Sequence, residues 1–507
     1  MIQDIIVVGS GTAGLIVAAS LKRKLPRLNV RIVRSPEIGV IGVGEATTPN
    51  VGTHLFDYLG MSRKFFYEKA RPTWKTGIRF LWGPRGRFDY GFSPALDSQV
   101  TALPRPNGYY CVDEFSCVDV PTALMRADKA FPRQANGCPD IQPWHAFHLE
   151  NIDLVATLEE FALSIGVEII NGKIIDAERG PQGIAAVLLE DRRRMTADFF
   201  IDSSGFASIL LGKALEEPFI SYGSSLFCDK AVVGGWERED EPILPYTTAE
   251  TMNSGWSWQI EHERHINRGY VYSSQAISDD EANAEFMGKN PKVRKTRVVN
   301  FRSGRFRRSW VDNVIAVGNS SGFVEPLEST ALMIVCQEAQ TIADFMKNTL
   351  CAPTPSIRDM YNNYLGETWD EIRDFLALHY RFNSKLDTPF WKACQAEVDI
   401  AGAAPLLEFY QQNGPLGFAR HLLHGHAANF GIDGFLTILV GNQVPYDCPH
   451  IATEAELGVW KMHREANMAV ARNGMTVKEA LAYVHHPNWQ WHGDTEGASE
   501  CRHPPSV

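Results

Sequence analysis

The pattern of apolar residues predicts the first elements of the chain. Ile5 to Val8 form an unbroken apolar run, a turn with three glycines follows, and the residues after the turn have helical spacing. The next run, "NVRIVR", predicts a second strand. Two later runs, "DFFIDSSGFAS" at 198–208 and "VIAVG" at 314–318, predict strands that end in small residues. If "GWSWQI" is a strand, its two tryptophans lie on one face, because side chains alternate along a strand.

From about residue 345 onward the pattern turns helical. Apolar residues recur at three- and four-residue spacing in "TIADFMKNTL", "MYNNYLGETWDEIRDFLALHY", "ELGVWKMHREANMAVARNG" and "TVKEALAYVHH". We expect these segments to form a helical cap over the part of the protein that precedes them.

Composition narrows the classes of partner. The 507 residues carry a net charge of −11, with a sequence pI of about 5.8, so most of the surface repels nucleic acid and anionic membranes. We therefore expect no nucleic-acid or membrane partner, and anionic ligands need local positive sites. Nine cysteines without a CxxC pair favour reduced thiols, and no targeting segment is visible at the start, so we expect a cytoplasmic protein.

The first glycine turn has the spacing of a dinucleotide-binding motif. Gly9 permits the turn, Gly11 lets the backbone approach a pyrophosphate, and Gly14 lets the helix pack closely on the strand. Thr12 and Ala13 begin the helix, whose N-terminus favours phosphate.

The residues at the end of the second strand do not decide which dinucleotide cofactor binds. An acidic residue is typical about 20 residues after the motif, where it binds the ribose hydroxyls, but Arg34 stands there. Glu37 is close and can take that role, whereas an arginine suits the 2′-phosphate of NADP. This motif alone is compatible with both FAD and NADP.

Two further glycine turns favour a long cofactor. "IGVGEATTP" follows the second strand, and "VIAVGNSSGFVEP" lies far downstream. Several strand-then-glycine turns that are distant in sequence suit FAD better than a nicotinamide held by a single βαβ unit. The candidate cofactor-binding residues in these turns are Gly42, Gly44, Glu45, Ala46, Gly318 and Gly322.

An ordered set of motifs resembles the flavin-dependent halogenases of the tryptophan-halogenase type. The shared pieces are the first glycine motif, "GVGEAT", "WKTGIRF", "FFIDSSGF", "PYTTAE", "GWSWQI", "GYVYSS", "GRFRRSWVDNVIAVG" and "SSGFVEPLEST". The resemblance implies an α/β fold of the FAD-binding, GR2-type, Rossmann-like class shared with flavin monooxygenases, with a mixed-sheet substrate region and a helical C-terminal part. It implies an FAD-binding and halogenation module at 1–345 and the helical cap at 346–507.

The resemblance also implies a reaction. Reduced FAD, oxygen and a halide ion give hypohalous acid, which travels to Lys75 and halogenates an electron-rich aromatic substrate. A charged Lys75 would polarise the oxygen of hypohalous acid, and a neutral one would form a haloamine; both alternatives stay open. Glu328 would stabilise the cationic ring intermediate and take its proton. Glu325, three positions earlier, is expected to be an acid near a helix start.

Further residues follow from the same resemblance. The halide would be held by Ser329, Thr330 and Ala331. It would be chloride or bromide, and iodide stays an open alternative. Tyr90 and Phe92 would stack on the aromatic substrate, and Trp256 and Trp258 would separate it from the flavin.

Three departures from the family pattern bear on which substrate the enzyme accepts. Glu261 replaces a usual proline after the tryptophan motif, and Ala331 replaces a usual glycine. Residues that grip the amino and carboxylate groups of tryptophan cannot be matched in "GFLTILVGNQVPYDCPHI". The chain is therefore expected to be a member not specific for free tryptophan, and indoles, phenols or a larger aromatic metabolite stay open.

The remaining expectations concern the partner protein, the oligomeric state, metal binding and the alternative functions. A separate NAD(P)H-dependent flavin reductase would supply reduced flavin, since no second nicotinamide-binding motif is visible, and family members commonly form dimers or higher homo-oligomers. His421, His424 and His426 are close in sequence, but without acidic or cysteine partners nearby we expect no metal site. The alternatives are an FAD-dependent aromatic monooxygenase and a flavin-binding protein without turnover.

Overall fold

The computed structural model describes residues 1–37, 39, 44–93, 99–111, 115–423, 429–447 and 450–491. In chain order the strands are β1 (Asp4–Val8), β2 (Asn29–Arg34), β3 (Glu45–Ala46), β4 (Thr73–Lys75), β5 (Gly77–Leu81), β6 (Phe88–Gly91), β7 (Ala146–Leu149), β8 (Glu168–Asn171), β9 (Ile174–Gly180), β10 (Gly183–Leu189), β11 (Arg194–Met195), β12 (Phe199–Asp202), β13 (Phe219–Ser221), β14 (Lys230–Glu237), β15 (Thr247–Met252), β16 (Gly255–Glu261), β17 (His265–Tyr272), β18 (Arg297–Asn300), β19 (Gly304–Phe306), β20 (Trp310–Val311), β21 (Val314–Ala316) and β22 (Gly322–Phe323).

The helices are α1 (Thr12–Lys24), α2 (Pro49–Thr53), α3 (Arg63–Ala70), α4 (Val120–Arg126), α5 (Asn151–Ser164), α6 (Asp279–Lys289), α7 (Ala331–Asn348), α8 (Pro355–Phe382), α9 (Pro389–Glu397), α10 (Ala404–Asn413), α11 (Gly431–Gly441), α12 (Glu454–Arg472) and α13 (Val477–Val484). Within the described ranges, no helix combines the length and the apolar character needed to cross a membrane.

A six-stranded sheet organises the nucleotide-binding part, in the order β20-β21-β12-β1-β2-β8. β1 pairs in parallel with both β2 and β12, and β12 pairs in parallel with β21. Ile5 and Val7 on one face and Ile6 on the other are fully buried, as expected for parallel strands covered on both faces. Parallel strands end at one edge, so the turns after β1, β12 and β21 meet there. Ser203 ties two of them together, because its hydroxyl donates to the Val8 carbonyl at 2.8 Å.

A seven-stranded mixed sheet, β18-β14-β17-β16-β15-β5-β6, forms the substrate region. β15 pairs in parallel with β5, and the other neighbours are antiparallel. β16 carries Trp256 and Trp258, so the predicted strand is present. Lys75 ends β4, which belongs to a separate three-stranded sheet with β3 and β7, directly before β5 begins at Gly77.

The C-terminal part is helical, as the periodicity predicts. Its longest helix, α8, buries Phe375, Leu376, His379 and Tyr380 against the mixed sheet and the loop before α7. This packing brings polar side chains of α8 to residues more than 50 positions earlier in the chain.

The cysteines follow expectation with one exception. Six described cysteines are free thiols, at 111, 117, 228, 336, 351 and 394. Cys138 is disulfide-bonded, which contradicts the expectation that all thiols are reduced.

Two glycines of the first turn give a matched test of its packing. A Cβ at Gly14 would overlap the Gly9 carbonyl oxygen, whereas a Cβ at Gly11 would meet nothing within 4 Å. We expect Gly14→Ala to lower the free energy of unfolding by about 1–3 kcal/mol, the usual cost of overpacking. Gly11→Ala should unfold like the unsubstituted protein. Chemical denaturation of the two variants measures the difference, and equal destabilisation by both would contradict this packing.

Candidate active site

Lys75 lies at the centre of a buried polar cluster. Its side chain is 0% exposed, and its Nζ donates to the Ser329 hydroxyl at 2.8 Å and to the Thr47 carbonyl at 3.1 Å. The ring centroid of Phe92 lies 5.0 Å from the same nitrogen. Two acceptors and one aromatic ring therefore fix the amine at the end of β4.

Burial changes the acid–base behaviour of this amine. It lowers the pKa of Lys75 from 10.5 to about 7, and the negative charge of Glu328 opposes the shift. An amine with a pKa near 7 exists in both protonation states around neutral pH. It can therefore donate a hydrogen bond as an ammonium or offer a lone pair as a neutral amine.

The loop between β22 and α7 places the second candidate residue. Pro326 to Glu328 form a short helical turn, and Ser329 follows with a φ of 58°, in the left-handed region. This conformation turns the chain so that the side chain of Glu328 enters the core, where it is 2% exposed. Thr330 and Ala331 then start α7, whose N-terminal amides favour anions.

His379 holds Glu328 from the opposite side. The Nε2 atom of His379 lies 2.8 Å from Glu328 Oε1, and its Nδ1 atom lies 2.9 Å from the Phe375 carbonyl oxygen. A carbonyl only accepts, so Nδ1 carries a hydrogen. The bond between Nε2 and Glu328 then contains one proton, supplied either by the ring or by the carboxyl group.

Glu325 precedes the short helical turn, and its side chain does more than lie near a helix start. It is fully buried, and its Oε1 accepts from Tyr380 Oη and, at 3.3 Å, from Trp256 Nε1. Burial raises its pKa to about 7. The residue therefore fastens the loop to β16 and α8, which a local pattern of acids before a helix does not reveal.

Two aromatic side chains lie beside Lys75 and Glu328, Phe92 near the first and Tyr90 near the second. Tyr90 and Phe92 have ring centroids 6.5 Å apart. Burial raises the pKa of Tyr90 well above its ordinary value, and the nearby charges of Glu328 and Asp433 add to the shift. The Tyr90 hydroxyl packs against Gly434 of α11, where a Cβ would approach it to 2.6 Å.

The two tryptophans of β16 lie on one face, as the alternation predicts. The ring centroids of Trp256 and Trp258 are 6.1 Å apart, and both side chains are buried. Trp256 reaches the loop that carries Glu328 through its bond to Glu325. Glu261, the residue that departs from the motif, lies on the other face of β16 and pairs with Arg238.

The glycine turns fit a dinucleotide. Described side chains leave the N-terminus of α1 uncapped at Gly11, and the space in front of Gly11 is open. Gly318 has a φ of 55°, and a Cβ there would come within 3.0 Å of Ala13. The turns at 9–14, with Thr12, and at 318–322, with Gly322, are therefore neighbours at one sheet edge. Gly44 lies instead against His262 and Asn267, and Ala46 belongs to β3, which pairs with β7. Gly42 lies outside the described residues.

A buried carboxylate supports the turn at 318–322, and a half-buried one lies in β3. Glu338 of α7 accepts from the Gly318 amide at 2.7 Å, and burial raises its pKa to about 8. Burial raises the pKa of Glu45 to about 7, opposed by a bond from Asn151. Arg34, the off-pattern residue, is engaged within the protein by Glu159 and Asn171. This engagement favours FAD over a cofactor whose 2′-phosphate needs that guanidinium.

These features define an α/β dinucleotide-binding protein with a buried lysine–glutamate pair. The family model for tryptophan halogenase matches residues 4–455. Tryptophan 7-halogenase KtzQ of Kutzneria sp. (strain 744) is 35% identical over 459 residues, which cover 84% of each protein.

Solved structures of halogenases have the same fold as this chain. MibH, a lathipeptide tryptophan 5-halogenase, superposes with a TM-score of 0.88 at 37% identity, covering 96% of this chain and 94% of MibH. BrvH, a flavin-dependent halogenase from Brevundimonas sp. BAL3, gives 0.84 at 26% identity, covering 96% and 99%.

The chain therefore belongs to the tryptophan halogenase family. It is a flavin-dependent halogenase of the tryptophan-halogenase type. The resemblance, the α/β halogenase fold and the enzyme class expected from the sequence are confirmed.

Sequence reasoning missed His379, Glu338 and the position of Glu325. A lone histidine on the apolar face of "DFLALHYRF" has no local motif, and its partner lies 51 residues away. Among the described residues, no group of three or more His, Cys, Asp and Glu side chains is arranged to hold a metal. His424 and His426 lie outside that part of the chain.

The lowered pKa of Lys75 predicts a stability effect. Between pH 7 and 10.5 the unfolded chain binds a proton at Lys75 that the folded chain does not, so this group destabilises the fold most at and below pH 7. We expect Lys75→Met to raise the free energy of unfolding at pH 7, with a smaller gain at pH 9. Urea denaturation at both pH values tests this. An unstable Lys75→Met protein, or a gain that grows with pH, would contradict the burial argument.

Proposed function

We propose that this enzyme uses reduced FAD, oxygen and a halide ion to halogenate an electron-rich aromatic ring, with Lys75 and Glu328 as the catalytic residues. One observation carries the proposal. The structure brings Lys75 and the loop at 325–330 together in a buried cluster, although they are 254 residues apart at the Lys75–Ser329 bond.

The glycine turns are the residues that would hold FAD, with its pyrophosphate at the N-terminus of α1. When bound in its reduced form, FAD supplies hypohalous acid from oxygen and halide. Chloride or bromide, with iodide also open, would bind at the start of α7, where Ser329, Thr330 and Ala331 offer hydroxyl and amide groups.

Lys75 would receive the hypohalous acid. Its ammonium form donates a hydrogen bond to the oxygen and makes the halogen more electrophilic. Its neutral form would take the halogen directly, giving a haloamine and water. Phe92 and the charge of Glu328 both favour the ammonium, so we propose hydrogen bonding as the main route.

Glu328 would act on the ring. Electrophilic attack leaves a positive charge in the substrate, and a carboxylate beside it stabilises that charge and accepts the departing proton. This role requires an anionic Glu328, so the proton shared with His379 must rest on the imidazole before the reaction.

The substrate is an indole-like or phenolic compound. Tyr90 and Phe92 would stack on its ring, and Trp256 and Trp258 would separate it from the flavin. Relatives named for tryptophan and for a lathipeptide tryptophan support an indole ring. Free tryptophan is not proposed, because the residues that would grip its polar groups are not matched in the sequence.

Further proposals concern organisation. A separate NAD(P)H-dependent reductase would supply the reduced flavin, and the enzyme would form a homo-oligomer, dimeric or higher, in the cytoplasm. No resident metal is required. The module at 1–345 would bind FAD and perform halogenation, and the part at 346–507 would cap it and contribute His379.

Product mass separates this function from the alternative, an FAD-dependent aromatic monooxygenase. The enzyme is incubated with an indole, FAD, a flavin reductase, NADH, oxygen and bromide. The proposal predicts a product with the isotope pattern of bromine. A product that gains oxygen and no bromine would overturn it.

Removing the amine should separate oxidant formation from halogenation. We expect Lys75→Ala to bind flavin and consume oxygen like the unsubstituted enzyme but to give no halogenated product, because nothing directs the hypohalous acid to the ring. Oxygen uptake and product mass are measured together. Lys69→Ala, which removes an exposed lysine, is the control, and full halogenation by Lys75→Ala would exclude the role of this amine.

Removing the carboxylate should slow the ring chemistry. We expect Glu328→Gln to lower the halogenation rate by roughly 10²–10⁴-fold, typical of a lost acid–base group. His379→Gln, which keeps a donor to Glu328, should lower the rate less than Glu328→Gln, because the carboxylate is still present. Single-turnover kinetics measure both, with Glu465→Gln on the exposed side of α12 as the control. An unchanged rate in Glu328→Gln would refute its role.

A further inference from the structure

A second pocket lies away from Lys75 and Glu328. It consists of two adjoining cavities of about 320 Å³ and about 270 Å³ that share Phe206, Phe219, Arg302 and Phe306. We call them together the Arg302 pocket. None of the residues assigned to halogenation lines it, apart from the flavin-turn residue Gly322 at its edge.

The larger cavity suits a flat aromatic group. Phe301 and Phe323 join the shared phenylalanines around it. Phe206 is 40% exposed, which is unusual for so large an apolar side chain unless something covers it. Its ring lies 4.9 Å from that of Phe323, so the exposed surface belongs to a continuous aromatic wall.

The smaller cavity suits an anion. Arg302 and Lys213 both line it, and within the described ranges neither side chain makes a hydrogen bond or an ion pair. Glu217 also lines it, but that side chain is 2% exposed and already pairs with Arg307 and Arg308. In a protein with a net charge of −11, this is a local excess of positive charge.

Arg302 joins the two cavities in one site. Its guanidinium lies 3.7 Å from the ring centroid of Phe219 and 5.7 Å from that of Phe306. Stacking on rings orients the planar group and leaves its edge donors available for a phosphate. The pocket therefore offers aromatic surface on one side of a fixed cation and a second cation on the other.

We propose that the Arg302 pocket is a second nucleotide-binding site, which takes an aromatic heterocycle in the larger cavity and its phosphate between Arg302 and Lys213. Its place supports this assignment. The pocket reaches Asn319 and Gly322, and Gly318 of the same turn contacts Ala13 at the start of α1. A nucleotide bound there lies beside the turn proposed to hold the flavin. Either a nicotinamide nucleotide or a second flavin nucleotide has this chemistry.

Calorimetric titration of the full-length protein, saturated with FAD, tests the proposal. NADPH, NADH and FMN are titrated separately, with riboflavin as the ring without phosphate and inorganic phosphate as the anion without ring. We expect at least one nucleotide to bind more tightly than riboflavin and phosphate. Binding of NADPH or NADH alone identifies a nicotinamide site, and binding of FMN alone identifies a flavin site.

Charge variants locate the bound nucleotide. Arg302→Ala should weaken its binding by roughly tenfold or more, because a charge-assisted bond to phosphate is lost, and Lys213→Ala should weaken it less. Lys461→Ala removes an exposed lysine on α12 and should change nothing. Because Arg302 is exposed, the variants should keep their thermal stability. No nucleotide binding, or equal binding by Arg302→Ala, would overturn the proposal whatever the outcome of the halogenation assays.

Discussion

The structure depends on an amine that has been taken out of water. Lys75 is buried at the end of β4, and its two acceptors come from distant parts of the chain, Thr47 before α2 and Ser329 before α7. Burying an amine is unfavourable unless its hydrogen bonds are made and its charge is balanced. The contacts of Lys75 with Thr47, Ser329 and Phe92 and the charge of Glu328 offset part of this cost, and burial still lowers the pKa of Lys75 to about 7.

The loop from 325 to 330 is the second part of this arrangement. Glu325 fastens its start to β16 and α8, and the left-handed conformation of Ser329 turns its end toward Lys75. Between them, Glu328 is held by His379. An acid and a base of the proposed reaction are therefore fixed by separate elements. Substrate binding would not have to assemble them, which is the condition for electrostatic preorganisation.

Short sequence patterns were enough to predict the first strand–turn–helix unit and the C-terminal helices. The strand before Gly9, the turn and α1 follow from a short motif, and the helices after residue 345 follow from apolar spacing. Lys75 and Glu328 were singled out by resemblance to a family, since nothing in their own segments shows that they meet. His379, Glu338 and the buried position of Glu325 depend on how α7 and α8 pack, and no single segment contains that information. The cations of the Arg302 pocket come from separate segments for the same reason.

The ionisation of Lys75 tests the central claim most directly. Protein labelled with ¹³C and ¹⁵N at lysine is titrated by NMR, and the Lys75 resonance is identified by its absence from Lys75→Met. The account predicts a midpoint near the pKa of about 7 that burial imposes, well separated from the exposed lysines. A midpoint at the ordinary value of 10.5 would place the amine in water and contradict the buried site.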